Sequence, residues 1–193
     1  MISIERCRAA ALAVAAIAVV ATAAPIAKGA EPAAWEHRKF TMYYFGLTTL
    51  FTCDGLEDHV RQILAYWGAR KDMTVRARGC MHGINDPSRS AWVSADFYSL
   101  MPAGDSPAPG VVSAEWKSVE LSPHHPNFME DGDCELMERL KDYTLKNFSI
   151  RNVDYHASCV PREVRMASYS ARAQALQLVP PAVRPANEAS GGR

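Results

Sequence analysis

The chain has 193 residues, of which 48% are hydrophobic and 22% charged, and its 21 basic residues balance its 21 acidic ones. This length suits one domain with flanking segments, and the composition is that of a globular protein with a single core. A net charge of zero gives no electrostatic basis for a nucleic-acid partner, so we expect none.

The N-terminus predicts export. A basic start is followed by an unbroken run of 16 small and aliphatic residues, 9–24, and residues 21–23 form an A-x-A cleavage triplet. This is the pattern of a secretory signal peptide, residues 1–23, cleaved after Ala23 or, as the alternative, after Ala30. The apolar run is shorter than the roughly 20 residues of a membrane span, so we expect no stable membrane anchor after cleavage. The predicted location is periplasmic or secreted.

The first structural unit follows a lead-in of residues 24–39, which lack hydrophobic periodicity and are predicted to be flexible. Residues 40–51 are nearly continuous in apolar and aromatic character, which predicts a strand buried on both faces. An Asp54/Glu57 capping box predicts a helix starting just after Cys53.

The unit is completed by the end of that helix and a second strand. Gly68 supplies the left-handed residue that ends the helix. Alternation over residues 73–78 then predicts a half-buried strand that leads to Cys80.

The second part of the chain repeats this pattern. Two strands are predicted over residues 92–100 and 111–121, and Asp131 or Asp133 caps a second helix. A last strand over residues 148–160 changes phase near Arg151, which predicts a bulge.

The C-terminal segment carries weaker signals. Residues 161–178 fit a short helix or a loose strand, and the chain is predicted to be disordered from about residue 179. We therefore expect one domain over residues 40–160 and a tail over residues 161–193.

Four cysteines remain after cleavage removes Cys7, and they occupy matching places in the two parts. An even number in an oxidising compartment predicts two disulfides, with three possible connectivities. In a right-handed βαβ unit, the helix start and the end of the second strand share one sheet edge. The separations are also similar, 80−53=27 and 159−134=25, so we predict the pairs Cys53–Cys80 and Cys134–Cys159.

The predicted fold is an α/β two-layer sandwich with the order βαβ-β-βαβ. Both helices lie on one face of a sheet related to ferredoxin-like folds.

Three loop histidines provide a metal-binding hypothesis. His82 follows the first unit, and His124 and His125 precede the second helix, so these loops are predicted to approach the same sheet edge. Imidazoles in such a place suit Cu or Zn, although the spacing is not a ligand signature. The more common interpretation is a solvated loop.

Other chemistry has little support. No nucleophile-elbow, zinc-protease or nucleotide-loop motif is present, and no C-x-x-C spacing supports a reactive thiol at Cys53 or Cys134. Asp96 lies inside a predicted strand, and we expect it on the solvent face rather than acting as a general acid. Trp35, Trp92 and Tyr98 are a possible exposed aromatic patch for a partner.

The segment from Cys53 to Arg70, followed by Cys80 after the next strand, resembles a group of uncharacterised exported proteins of Gram-negative bacteria. The Cys-Asp and Gly-Ala-Arg elements carry the resemblance, which extends over roughly residues 40–160. It implies an exported protein and no catalytic residue.

The leading hypothesis is a non-enzymatic binding or interaction domain that needs no cofactor and contacts an envelope protein or a small ligand. The alternatives are a periplasmic Cu or Zn protein using His82, His124 and His125, and an enzyme without a recognisable motif.

Overall fold

The computed structural model describes residues 29–80, 87–104, 110–164 and 168–180. The predicted signal peptide and its cleavage site after Ala23, the loop containing His82, and the chain beyond residue 180 lie outside the described residues. Within those described ranges, no helix is both long enough and apolar enough to cross a membrane.

The described chain forms two layers, a six-stranded sheet and two helices, as predicted for an α/β sandwich. The strands are β1 (Glu31–Phe45), β2 (Thr74–Arg78), β3 (Ser90–Pro102), β4 (Val112–Leu121), β5 (Ile150–Ser158) and β6 (Ser168–Leu178). The helices are α1 (Cys53–Tyr66) and α2 (Cys134–Asn147), the latter preceded by a single 3-10 turn, Asp131–Asp133. The strand order is β2-β3-β1-β4-β6-β5, and every neighbouring pair is antiparallel.

The repeat is real, but its unit is βαββ rather than the predicted βαβ. The first unit is β1-α1-β2-β3 and the second is β4-α2-β5-β6. In each unit the last strand lies between the other two, so β1 runs parallel to β2, and β4 to β5, without direct pairing. The sixth strand is β6, in the segment whose sequence fitted a helix or a strand.

The two repeats meet at a short antiparallel contact between β1 and β4. Pro32 lies opposite Ser113, Glu31 opposite Ala114 and Ala33 opposite Val112. Residues 32 and 113 are 81 apart, and so are Trp35 and Trp116, Cys53 and Cys134, and Arg70 and Arg151. Pro32 therefore faces its own equivalent, and the two flanking pairs are related by exchange of the repeats, so an approximate two-fold axis passes between Pro32 and Ser113.

The main core lies between the sheet and the helices. Phe40, Met42 and Tyr44 of β1 point into it, while Tyr43 and Phe45 point away and are exposed. The prediction of a first strand buried on both faces is therefore wrong, because the helices cover only one face. The apolar stripes of both helices pack on that face through Leu56, Val60, Ile63, Leu64, Leu136, Met137 and Leu140.

A second, smaller apolar cluster lies on the helix-free face, at the contact between repeats. Trp35 lies opposite Leu100, and its equivalent in the second repeat, Trp116, lies opposite Leu176. Leu100 and Leu176 are therefore equivalent, and residues of β3 correspond to residues of β6 with an offset of 176−100=76. Arginines lie over both indole rings, with the Cζ atom 5.6 Å from the Trp35 ring centroid for Arg70 and 4.3 Å from the Trp116 centroid for Arg151. The buried members are Ala33, Leu100, Ala114 and Leu176.

The ends of α1 differ in part from the prediction. Thr52, not Asp54, caps the helix, with its Oγ1 accepting from the backbone N–H of Gly55 at 2.9 Å. Glu57 instead accepts from the backbone N–H of Ala77 at 2.8 Å, which joins α1 to β2. Gly68 adopts a φ of 104°, as expected for the residue that ends the helix.

The sheet extends beyond both predicted domain limits. Residues 31–39, predicted as part of a flexible lead-in, belong to β1, because β3 pairs with β1 from Ala33 to Phe45. At the other end, β6 lies between β4 and β5 and is central to the second repeat. The predicted bulge is present in β5, where the register shifts between Arg151 and Asp154.

A polar junction fastens α2 to the first repeat. Oε2 of Glu135 accepts from the backbone N–H groups of Leu47 at 2.8 Å and Thr48 at 3.0 Å. These bonds hold the loop after β1 against the N-terminus of α2, where a carboxylate is also favoured by the helix dipole.

Candidate binding surface

An exposed aromatic pair marks the helix-free face of the first repeat. Tyr43 on β1 and Trp92 on β3 are opposite each other in the register, with ring centroids 5.0 Å apart. Trp92 is 57% exposed and Tyr43 45%. Strand alternation explains the position, since Met42 and Val93, their neighbours, are buried beneath the helices. Two adjacent aromatic rings that are about half exposed form an apolar patch at the protein surface.

Next to this pair, the same face is polar. A shallow depression of about 420 Å³ is lined by Lys39, Thr41, Thr74, Ser94 and Asp96, with backbone from Phe40 and Ala95. These side chains come from all three strands of the repeat, and register pairs Thr41 with Ser94 and Lys39 with Asp96.

Asp96 is the centre of the charged groups in this depression. Its Oδ2 lies 2.9 Å from Nζ of Lys39, and its Oδ1 lies 2.6 Å from Nε2 of His37. Lys39, and then His37, hold the pKa of Asp96 below its ordinary value. A carboxylate that is stabilised in its ionised form accepts hydrogen bonds but is a poor general acid. The Asp96 side chain is also partly exposed, as expected for the solvent face of the strand.

A second pair of rings lies beyond the depression, next to Lys39 and Asp96 on the same face. His37 and Tyr98 have ring centroids 5.1 Å apart, and the guanidinium Cζ of Arg70 lies 3.9 Å from the Tyr98 centroid. Asp72 holds Arg70 in place through two 2.7 Å hydrogen bonds. We use the term aromatic face for this whole surface, which consists of His37, Lys39, Thr41, Tyr43, Thr74, Trp92, Ser94, Asp96 and Tyr98.

The predicted aromatic patch was partly right. Trp35, Trp92 and Tyr98 all lie on the helix-free face, but Trp35 belongs to the small cluster between repeats and lies beneath Arg70. Trp92 instead pairs with Tyr43, a residue of the strand that the sequence predicts to be buried on both faces.

Comparison of the repeats separates structural residues from candidate binding residues. The tryptophans and leucines of the inter-repeat cluster are identical in both repeats. The aromatic pair is not duplicated, since the 76-residue offset places Ser168 where the first repeat has Trp92. The Lys39–Asp96 pair is replaced by Glu120–Arg172, with the charges exchanged. The aromatic face is therefore a property of the first repeat.

The four cysteines of the described chain form two disulfides. Cys53 pairs with Cys80 and Cys134 pairs with Cys159, with Cα–Cα distances of 6.0 and 5.6 Å. This is the pairing expected from the repeat, and it leaves neither helix-entrance cysteine as a free thiol. Two bridges indicate an oxidising location outside the cytoplasm.

The described histidines do not assemble the hypothesised metal site. Nε2 of His124 lies 3.4 Å from Oδ1 of Asp131, and Met129, a neighbouring soft ligand, is fully buried in the core. Among the residues that the structure describes, no three His, Cys, Asp or Glu side chains converge to hold a metal ion. His82 lies outside that part of the chain.

One histidine outside the predicted set has a buried partner. Nε2 of His59 on α1 lies 2.9 Å from Oδ2 of Asp133, whose side chain is only 2% exposed. The His59 ring stacks on Phe51 and makes an edge contact with Phe128. This pair links α1 to the turn before α2, and because the side chains of His59 and Asp133 are only 12% and 2% exposed, we assign it a structural role.

Two sequence signals could have located these features. The constant offset of 81 residues between A-x-W, Cys and Arg positions identifies the repeat and its structural tryptophans. The period of two in a strand then places Tyr43 and Tyr44 on opposite faces, and the helices that pack on one face determine which ring is exposed.

Comparisons of this chain with protein families, with curated proteins and with solved structures found no match.

Proposed function

We propose that this chain is an exported, non-enzymatic binding domain of the periplasm or the extracellular space, and that its ligand docks on the aromatic face. The observation that carries the proposal is the exposed Tyr43–Trp92 pair beside a depression lined by polar side chains from three strands. Rigid strands hold every one of these side chains, as a preorganised binding surface requires.

Three further observations support export. The N-terminal sequence has the pattern of a signal peptide, with cleavage after Ala23 or Ala30. The disulfides suit an oxidising compartment. The resemblance of residues 40–160 to exported proteins of Gram-negative bacteria points to the same location.

Export is tested by the N-terminus of the mature protein. Mass spectrometry of the protein from the periplasmic or culture fraction should find a chain beginning at Ala24 or Glu31, with no free thiol. Recovery of the intact chain from the cytoplasm, with reduced cysteines, would contradict this part of the proposal.

Docking is tested by site-specific photo-crosslinking in cells that export the full chain. A photoreactive residue at position 43 should give a discrete adduct, and the same residue at Leu50, which is also 45% exposed but lies outside the face, should not. Excess purified wild-type protein should compete for the adduct, whereas the Trp92→Ala variant should not. Equal labelling from both positions, or equal competition by both proteins, would show that the face is not a docking surface.

A further inference from the structure

One edge of β1 is open along most of its length, and the inference drawn from it rests on the proposed function above. We propose that an extended segment of another protein adds to the sheet as a strand beside β1, in the groove between β1 and α2. The side chains of the segment then alternate between the aromatic face and α2.

The two edges of β1 are paired very differently. On one edge β3 pairs with β1 from Ala33 to Phe45, whereas on the other edge β4 pairs only with residues 31–33. Just after β1, the N–H of Gly46 donates to the carbonyl of Arg89 at 2.8 Å, so the even-numbered residues face β3. The odd-numbered residues therefore direct their N–H and C=O groups to the other edge.

The open edge presents a regular row of backbone groups. Within the described ranges, no partner is found for the backbone N–H and C=O groups of His37, Lys39, Thr41, Tyr43 and Phe45. These donors and acceptors repeat every two residues, about 6.6 Å, over a length of about 26 Å. The backbone of another extended polypeptide has the same repeat, and pairing with an unpaired edge of this kind is an established mode of peptide recognition.

A groove lies beside this edge. A depression of about 490 Å³ is lined by two residues of β1 and four of α2, which are Tyr43, Phe45, Glu138, Arg139, Asp142 and Tyr143. Tyr43 is 45% exposed and Phe45 41%, so a strand in the groove would cover apolar area that the fold leaves in water. The groove thus offers backbone pairing and apolar contact at the same place.

The α2 side of the groove has an excess of negative charge. Glu138, Arg139 and Asp142 are all exposed, and they contribute two carboxylates and one guanidinium. A basic side chain is therefore favoured where the added strand faces α2. On the opposite side of that strand, the rings of Tyr43 and Phe45 favour apolar side chains.

The other charges of the helix-free face act less directly on such a strand. Lys39 is paired with Asp96, with 2.9 Å between Nζ and Oδ2. Arg76 and Arg78 lie on β2, which is separated from the added strand by three strand spacings, about 14 Å. The charges of α2 are therefore the closest unbalanced ones.

A second copy of this chain fits the edge less well than a flexible segment does. Pairing through its own β1 would bring its own α2 to the groove. The carboxylates of Glu138 and Asp142 in the two copies would then lie against each other, which is unfavourable. A flexible segment carries no such helix.

The probe is a synthetic peptide that alternates valine and lysine over the length of the open edge, titrated calorimetrically into the mature, disulfide-intact protein. We expect its Kd to be at least about tenfold lower than that of the matching valine–glutamate peptide. Decaproline, which lacks N–H groups, should not bind. Glu138→Lys/Asp142→Lys should reverse the preference between the two alternating peptides, and an unchanged preference would overturn the assignment of a basic segment.

Backbone methylation tests the strand geometry in the wild-type protein. N-methylation of every valine removes the donors on one edge of the peptide, and N-methylation of every lysine removes those on the other edge. Only one of the two should abolish binding, since one edge of the peptide meets β1 while the other faces solvent. Equal loss from both, or no loss from either, would overturn strand addition.

A substitution in β1 tests the same pairing from the other side. Thr41→Pro removes a donor from the open edge and spares the bonds to β3, because the N–H of Thr41 faces away from β3. It should raise the Kd of the valine–lysine peptide about tenfold. Thr41→Val keeps the N–H and is the matched control, with little change expected. Circular dichroism verifies that both variants fold.

The outcomes separate this inference from the proposed function. If the valine–lysine peptide does not bind, or binds equally well to folded Thr41→Pro, strand addition is wrong, and docking on the aromatic face is still decided by the photo-adduct at position 43. If that adduct contains a glycan, a lipid or a second copy of this chain, docking stands and the assignment to an extended segment of another protein is wrong.

Discussion

Removal of either disulfide should reduce the free energy of unfolding by about 3.5 kcal/mol. The two bridges close loops of similar length, with sequence separations of 27 and 25 residues. The chain-entropy relation gives about 3.6 and 3.5 kcal/mol for loops of this size at 25 °C. The two double variants, Cys53→Ala/Cys80→Ala and Cys134→Ala/Cys159→Ala, should therefore lose nearly equal stability.

Urea denaturation of the mature protein, followed by circular dichroism and tryptophan fluorescence, measures both losses by linear extrapolation. The variant without any bridge should lose about 7 kcal/mol, which is a large share of the 5–15 kcal/mol typical of a domain, and should be mostly unfolded at 37 °C. A loss below about 1 kcal/mol for either double variant would refute the entropic argument, since it lies well outside the range for native disulfides. The argument would also be refuted if the mature wild-type protein kept its native fold while all four of its cysteines titrated as free thiols.

Three other changes test the core and the polar junction. Glu135→Gln should lower stability by about 1.5–3 kcal/mol, because the N–H groups of Leu47 and Thr48 lose a charged acceptor; Asp58→Asn, on the exposed face of α1, is the control and should change little. Leu140→Ala should cost about 2–5 kcal/mol in the same urea assay, since the side chain is fully buried; an effect below about 1 kcal/mol would mean that the site is solvated. Burial, with Glu138 and Asp142 adding to it, raises the pKa of Tyr155 to about 12, so the folded state disfavours the phenolate. Its stabilising contribution is complete below pH 10 and is lost as the pH rises to about 12, and Tyr155→Phe should flatten this part of a stability-against-pH curve.

The predictable part of the fold depended on strong local signals. Gly68 ends α1 because a left-handed residue is required there, and the cysteine spacing follows from helix and strand lengths that are nearly equal in both repeats. Such features depend on a few residues, so one sequence is enough to recognise them.

The features that escaped prediction have tertiary causes. The inward residues of β6 include the small side chains Ala171, Ala173 and Ala175, because α2 and the end of α1 fill the space above them, and small residues give little hydrophobic periodicity. Glu57 has the spacing of a capping-box residue but is drawn to the edge of β2 by the N–H of Ala77. Neither cause is visible before the elements are packed together.

The binding surface was harder to predict than the fold for a related reason. Tyr43 belongs to the same run of aromatic residues as the buried Tyr44. Hydrophobicity alone cannot distinguish the ring that packs in the core from the ring that faces water. Only the register of β1 with β3 places Tyr43 beside Trp92, and only the three-strand arrangement brings Thr74 to the same depression.

The contact in which Pro32 meets its own counterpart, Ser113, has the geometry of an isologous interface in a symmetric homodimer. The two repeats of this single chain are thus arranged like the two subunits of a symmetric homodimer. In a true homodimer every substitution appears twice, whereas fused subunits can specialise independently. The equivalent positions 92 and 168 accordingly carry different residues, Trp and Ser, so the exposed aromatic pair is confined to one half of the domain.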